Sequence, residues 1–114
     1  MSPEIYARLT ATITEELADD WSPHDSIICH INRALEREES SEVTADTLML
    51  LKRIIEGRIA IPGELDPNLG FRFIPYEGNR EEVWSRVERQ LPVGHRTRYE
   101  RHLWFDNGAR SAIF

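Results

Sequence analysis

Residues 62–79 read PGELDPNLGFRFIPYEGN, and the fold class turns on this stretch. Three prolines and three glycines in eighteen positions preclude a helix. Phe71, Phe73 and Ile74 predict a short extended segment at most. A lone strand needs a partner, and no neighbouring run offers a convincing one. The stretch is therefore expected to be a long aromatic loop, with room for one short strand or hairpin. Such a loop either wraps over a core or serves in binding, and Phe71 and Tyr76 are its candidate binding residues.

Outward from this loop, both flanks predict helices. On its N-terminal side, Val43-Thr44-Ala45-Asp46-Thr47-Leu48 has the form of a hydrophobic staple with Thr44 as N-cap. Leu48, Leu50, Leu51, Ile54 and Ile55 then make the third helix apolar over much of its circumference, as a central core helix would be. It is expected to end near Gly57 or Arg58. On the C-terminal side, Asn79-Arg80-Glu81-Glu82 is a capping box opening a fourth helix, striped by Val83, Trp84, Val87 and Leu91 and stopped by Pro92. Thr97-Arg98-Tyr99-Glu100 has the same form and predicts a fifth helix, anchored by Tyr99, Leu103 and Trp104 and ended at Asn107-Gly108.

Near the N-terminus, Ser2-Pro3-Glu4 is a start signal, and Ile5, Leu9, Ile13 and Leu17 recur every fourth residue as one buried stripe. DDWSP, residues 19–23, stops this first helix. Ser22 then reads as the N-cap of a second helix, with Pro23 at its first position and Asp25 two residues on. That helix contains SIICHINRAL, residues 26–35, with the one cysteine directly before a histidine. Ile27, Ile28, Ile31, Ala34 and Leu35 share one face. Cys29 falls opposite, among Asp25, Asn32 and Glu36. Neighbouring residues on a helix point about 100° apart, so Cys29 and His30 cannot chelate one metal well. Cysteine is commonly buried, so this helix is expected to be central, packed on two sides, with Cys29 inside. The sum is a mainly α single domain over residues 1–114, of about five helices.

Charge is distributed unevenly. The chain carries −6. Residues 1–47 hold eleven acids against three arginines, a net −8, and the remainder is +2. An acidic half repels nucleic acid and attracts a basic partner. Its densest point is Glu15, Glu16, Asp19 and Asp20, the candidate partner-binding carboxylates. With no third ligand at a suitable spacing, they are not expected to hold a cation. The contrasting feature is HRTRYERHLW, residues 95–104, where Arg96, Arg98, Tyr99 and Arg101 could contact phosphate and stack on bases. No phosphate-binding loop, dinucleotide fingerprint, zinc-protease motif, nucleophile elbow or paired-cysteine motif is present. No enzyme activity, metal or cofactor is expected. A single cysteine excludes an internal disulfide. No apolar run is long enough to span a membrane, and nothing at the N-terminus resembles a signal peptide, so the expected compartment is the cytoplasm.

Three segments carry a resemblance: IICHINRALE (27–36), TADTLMLLKRII (44–55) and RYERHLWFDNG (98–108). With them the chain resembles small phage- and prophage-encoded accessory proteins, including acidic host-defence inhibitors of the anti-CRISPR kind. The resemblance implies non-catalytic binding to a protein surface and carries over no functional residue. The function expected is thus a protein-binding accessory protein, an inhibitor of a host defence complex acting through its acidic face on a basic partner. A nucleic-acid-binding accessory protein using residues 95–104 is the alternative.

Overall fold

The computed structural model describes residues 3–36, 42–66, 68, 72–91 and 103–108. In chain order these form α1 (Pro3–Glu16), β1 (Ser22–Pro23), α2 (His24–Ala34), α3 (Ala45–Glu56), β2 (Ala60–Asp66), β3 (Arg72–Pro75), α4 (Arg80–Gln90) and β4 (Trp104–Asn107). The four strands make one antiparallel sheet in the order β1-β4-β2-β3. The fold is α+β, and this corrects the mainly α, five-helix expectation.

Three local readings account for the correction. First, residues 62–79 are not a loop with a stray strand. β2 and β3 form a hairpin, registered Gly63 to Pro75 and Asp66 to Arg72. Proline and glycine normally argue against a strand, but here each has a tolerated place. The Tyr76 N–H donates to the Pro62 carbonyl (3.0 Å). By the antiparallel alternation, the missing donor of Pro75 then points off the free edge of β3, where it breaks no ladder bond. Gly63 is required by packing. A Cβ there would lie 2.4 Å from the Ile74 carbonyl oxygen and 2.6 Å from the Phe73 ring.

Second, the residues expected to end a fifth helix are a strand. Trp104–Asn107 is strand β4, paired on both sides with β1 and β2. β4 is a central strand of the sheet, and its nonlocal pairing overrides the helical spacing of Leu103 and Trp104. The Thr97–Arg101 portion of that helix lies outside the described residues. Third, Ser22 does not cap α2. Ser22 and Pro23 pair with Phe105 and Trp104 as β1. α2 starts at His24 with Pro23 in the cap position and no side-chain cap. The hydroxyl of Ser22 is used elsewhere, as described below.

The helix signals at Thr44 and Asn79 hold, while the Ser2 cap and the Pro92 stop lie outside the described residues. Thr44 caps α3 by accepting from the Thr47 N–H (3.3 Å), and α3 ends at Glu56, before Gly57 and a left-handed Arg58. Asn79 and Glu82 form the reciprocal capping box of α4. Leu9, Ile13 and Leu17 are buried as one stripe.

α2 packs against both α1 and α3, so it is the two-sided helix the sequence predicts. Its second buried side, however, is polar. Asn32 is 1% exposed. Its Oδ1 accepts from the Thr47 hydroxyl (2.7 Å), and its Nδ2 donates to the Glu42 carbonyl (2.8 Å). A buried amide bonded through both its oxygen and its nitrogen fixes how α2 sits on α3. Cys29 is only half-buried.

The core lies between these helices and one face of the sheet. Phe105, Ala60 and Leu103 are fully buried there, beside Ile27, Ile28, Ile31, Leu51 and Ile54. Each large aliphatic side chain buried in this way contributes roughly 1.5–3 kcal/mol.

Candidate functional site

The four acidic candidates separate into two kinds. Glu15, Asp19 and Asp20 are exposed. Glu16 turns inward, its side chain 28% exposed. One oxygen, Oε1, accepts from the Ser26 hydroxyl (2.7 Å) and pairs with His30 Nε2 (3.0 Å). The other, Oε2, accepts from the Ser22 hydroxyl (3.1 Å). Burial pushes the Glu16 carboxyl upward, but hydrogen bonds from His30 and Ser26, the His30 charge and the Ser22 bond outweigh it. Its pKa lies below the ordinary 4.5.

Sequence reading missed this cluster. His30 sits fourteen residues from Glu16, a separation that no local spacing rule covers. Its chemistry is that of a clasp. Ser26 and His30 converge on one oxygen, so the imidazole does not stand between a hydroxyl and its base as a proton relay requires. Instead, the carboxylate ties the end of α1 to β1 and α2. Residues 17–21 run from Glu16 to Ser22, and the Glu16–Ser22 bond pins that turn at its base. Asp20 Oδ1 accepts from the Trp21 N–H (2.8 Å) and braces it further. The turn therefore presents Asp19, Asp20 and Trp21 in a fixed arrangement.

Trp21 leads onto the second feature. Side chains on a strand alternate between faces, and paired residues share a face. Ser22, Ala60, Pro62 and Phe105 are buried and point toward the helices. Ile61, Leu65, Phe73 and Trp104 are half-buried on the opposite, outer face. Trp21 stacks on Phe73 there, ring centroids 6.2 Å apart and planes 21° from parallel. An apolar sheet face beside an acidic turn is thus the most distinctive surface among the described residues.

The remaining candidates fall elsewhere. Tyr76 is buried, with the Arg86 guanidinium 4.2 Å from its ring centre. Burial raises its phenol above the ordinary 10.0, Arg86 opposes this, and Glu64 adds to it. Its position is that of a core residue. Phe71, Arg96, Arg98, Tyr99 and Arg101 lie outside the described residues. Trp104, the last residue of the basic-aromatic segment, belongs to β4. Among the described residues no group of three or more His, Cys, Asp or Glu is placed to hold a metal, and no helix is long and apolar enough to cross a membrane. No family model, no curated protein and no solved structure matches this chain.

Proposed function

We propose that this protein acts by binding another protein, without chemistry of its own, through the side that carries Glu15, Asp19 and Asp20. The observation that carries this reading is the pinned turn. Asp19 and Asp20 are exposed at the tip of a segment clasped at its base by Glu16 and Ser22, next to a half-buried aromatic face. A preorganised acidic surface loses little freedom on docking and steers a basic partner toward it. The acidic contribution comes from Glu15, Asp19 and Asp20, because Glu16 is committed internally. The narrower reading, inhibition of a host defence complex, rests on the sequence resemblance.

Affinity capture from a bacterial lysate tests the proposal. The wild type is expected to retain a discrete protein whose association slows as salt rises past about 0.15 M, where the Debye length is about 8 Å. Asp19→Lys/Asp20→Lys is expected to lose it with an unchanged circular dichroism spectrum. Retention by the double variant, or capture of nucleic acid in place of protein, would overturn the reading.

A further inference from the structure

We infer that the outer sheet face takes an arginine- or lysine-bearing segment of the partner protein, lying on the Trp21–Phe73 pair with its charge against Asp19 and Asp20. This rests on the protein-binding reading above and names the chemistry of the partner.

Three observations lead to it. The first concerns how anything can approach the sheet. Edge strands commonly recruit partners by strand addition, but each edge strand here carries a proline. The His24 N–H donates to the Leu103 carbonyl (3.1 Å), which sets the alternation of the β1–β4 pair. Pro23 then directs its missing donor away from β4, off the free edge. Pro75 does the same on β3, as described above. An incoming strand would meet no N–H at either position, and on β3 only Phe73 still turns its N–H outward. Strand addition is thereby disfavoured, which leaves the face.

The second is charge. Among the described residues, those whose side chains alternate onto the outer face, from Pro23 and Ile61 to Phe73 and Trp104, include no lysine or arginine, and the one charged residue, Asp106 opposite Ile61, is a buried acid. Its acidic border is Asp19 and Asp20. A second copy of this chain would set that border against its own like charges, which disfavours self-association. A cationic segment complements it.

The third is the rings. Elsewhere in the molecule, aromatic rings already carry cations. Arg53 lies 4.2 Å from the Tyr6 ring centre, Arg86 4.2 Å from Tyr76, and Lys52 5.8 Å from Trp84. Trp21 and Phe73 instead stack on one another at the surface. Phe73 lies close over Gly63, where a side chain would collide with it, so the absence of a side chain there makes room for its ring. A stacked aromatic pair beside two carboxylates suits a guanidinium or ammonium, which the ring quadrupole and the acids attract together.

The test uses the full-length ¹⁵N-labelled chain, titrated with a blocked oligo-arginine peptide and, in a second arm, a blocked oligo-glutamate peptide. The chain has three tryptophans, Trp21, Trp84 and Trp104, hence three indole N–H signals. Oligo-arginine is expected to move the Trp21 and Trp104 indoles and leave Trp84 in place, and oligo-glutamate to move none. Trp21→Ala is expected to weaken peptide binding by ~3- to 10-fold, as loss of a cation–aromatic contact would. Phe73→Ala is expected to act in the same direction, and Asp19→Asn/Asp20→Asn to remove the salt dependence.

Three results would each overturn the inference. They are movement of Trp84 without Trp21, full affinity in both aromatic variants, or a Trp21 shift that follows protein concentration alone, which would make a second copy the occupant. The two proposals fail separately. Partner capture that survives Trp21→Ala and Phe73→Ala but needs Asp19 and Asp20 refutes this inference and leaves the protein-binding reading standing. Peptide binding at the face with no protein captured does the reverse.

Discussion

Replacing Glu16 by alanine should be among the most damaging substitutions of an acid in this chain, although the residue sits in a highly acidic stretch. The carboxylate accepts from Ser26 (2.7 Å) and Ser22 (3.1 Å) and pairs with His30 (3.0 Å). A hydrogen bond to a charged group is worth about 1.5–3 kcal/mol, and three would sum to more than is expected here. Two effects reduce the total. The side chain is 28% exposed and that of His30 21% exposed, so water replaces part of what is lost. The three bonds also share one acceptor group and are not additive. The net cost should be about 2–4 kcal/mol, a large share of the stability typical of a small domain. Glu16→Gln keeps one carbonyl acceptor and should cost about half as much.

Urea denaturation followed by circular dichroism measures both variants, with a lower midpoint at unchanged slope as the expected signature. The effect also carries a pH sign. The pKa of Glu16 in the folded state lies below the ordinary 4.5. Its contribution is therefore present above the unfolded value and lost as pH falls through the folded one. The gap between wild type and Glu16→Gln should shrink below about pH 4.5. A Glu16→Ala variant within about 0.5 kcal/mol of wild type, the range of ordinary surface substitutions, would refute the clasp.

Asn32→Ala should cost about 1–3 kcal/mol, because it removes the two side-chain bonds that Asn32 makes, to the Thr47 hydroxyl and the Glu42 carbonyl; the Thr47 hydroxyl keeps its Thr44 partner (2.9 Å), and chemical denaturation reads the loss directly. Gly63→Ala should destabilise by roughly 1–3 kcal/mol as the Ile74 carbonyl and Phe73 ring are forced aside, with near-ultraviolet dichroism from Trp21 changing at the same time. Tyr76 should ionise later than an ordinary phenol, above 10.0, because burial opposes the phenolate. An ultraviolet titration against Tyr76→Phe should show the difference signal displaced to higher pH. The stabilising contribution is present below the unfolded pKa and is lost as pH rises through the folded one.

The helix starts at Thr44 and Asn79 were legible because a cap is a local bargain between a side chain and backbone groups three residues on. The stripe of Leu9, Ile13 and Leu17 was legible for a similar reason, since periodicity alone specifies it. The sheet was not. β1 is two residues long, and Ser22-Pro23 looks like a helix start until Phe105 and Trp104 are known to lie opposite. β2 carries Pro62 and Gly63, which are tolerated through the Tyr76 bond and the packing of Phe73. Neither fact exists in the local sequence. β4 was masked by the capping-box form of residues 97–100 and the helical spacing of Leu103 and Trp104. In each case pairing with a distant strand decided the outcome.

The candidate site divides along the same line. Glu15, Asp19 and Asp20 were singled out by charge density, and they are exposed. Glu16 was grouped with them although it belongs to His30, Ser22 and Ser26. The outer aromatic face could not be assembled while residues 62–79 were read as a loop.

A photo-crosslinking amino acid placed at position 18 and, separately, at position 49 tests the account most directly. Ala18 is exposed and adjoins Asp19, so both carboxylates of the turn are kept. Met49 is the control because it is 69% exposed, the exposed large apolar residue among those described, and so offers another anchor for a partner on α3. The account predicts a protein adduct from position 18, reduced by adding Asp19→Lys/Asp20→Lys, and none from position 49. An adduct from position 49 and none from position 18 would contradict it.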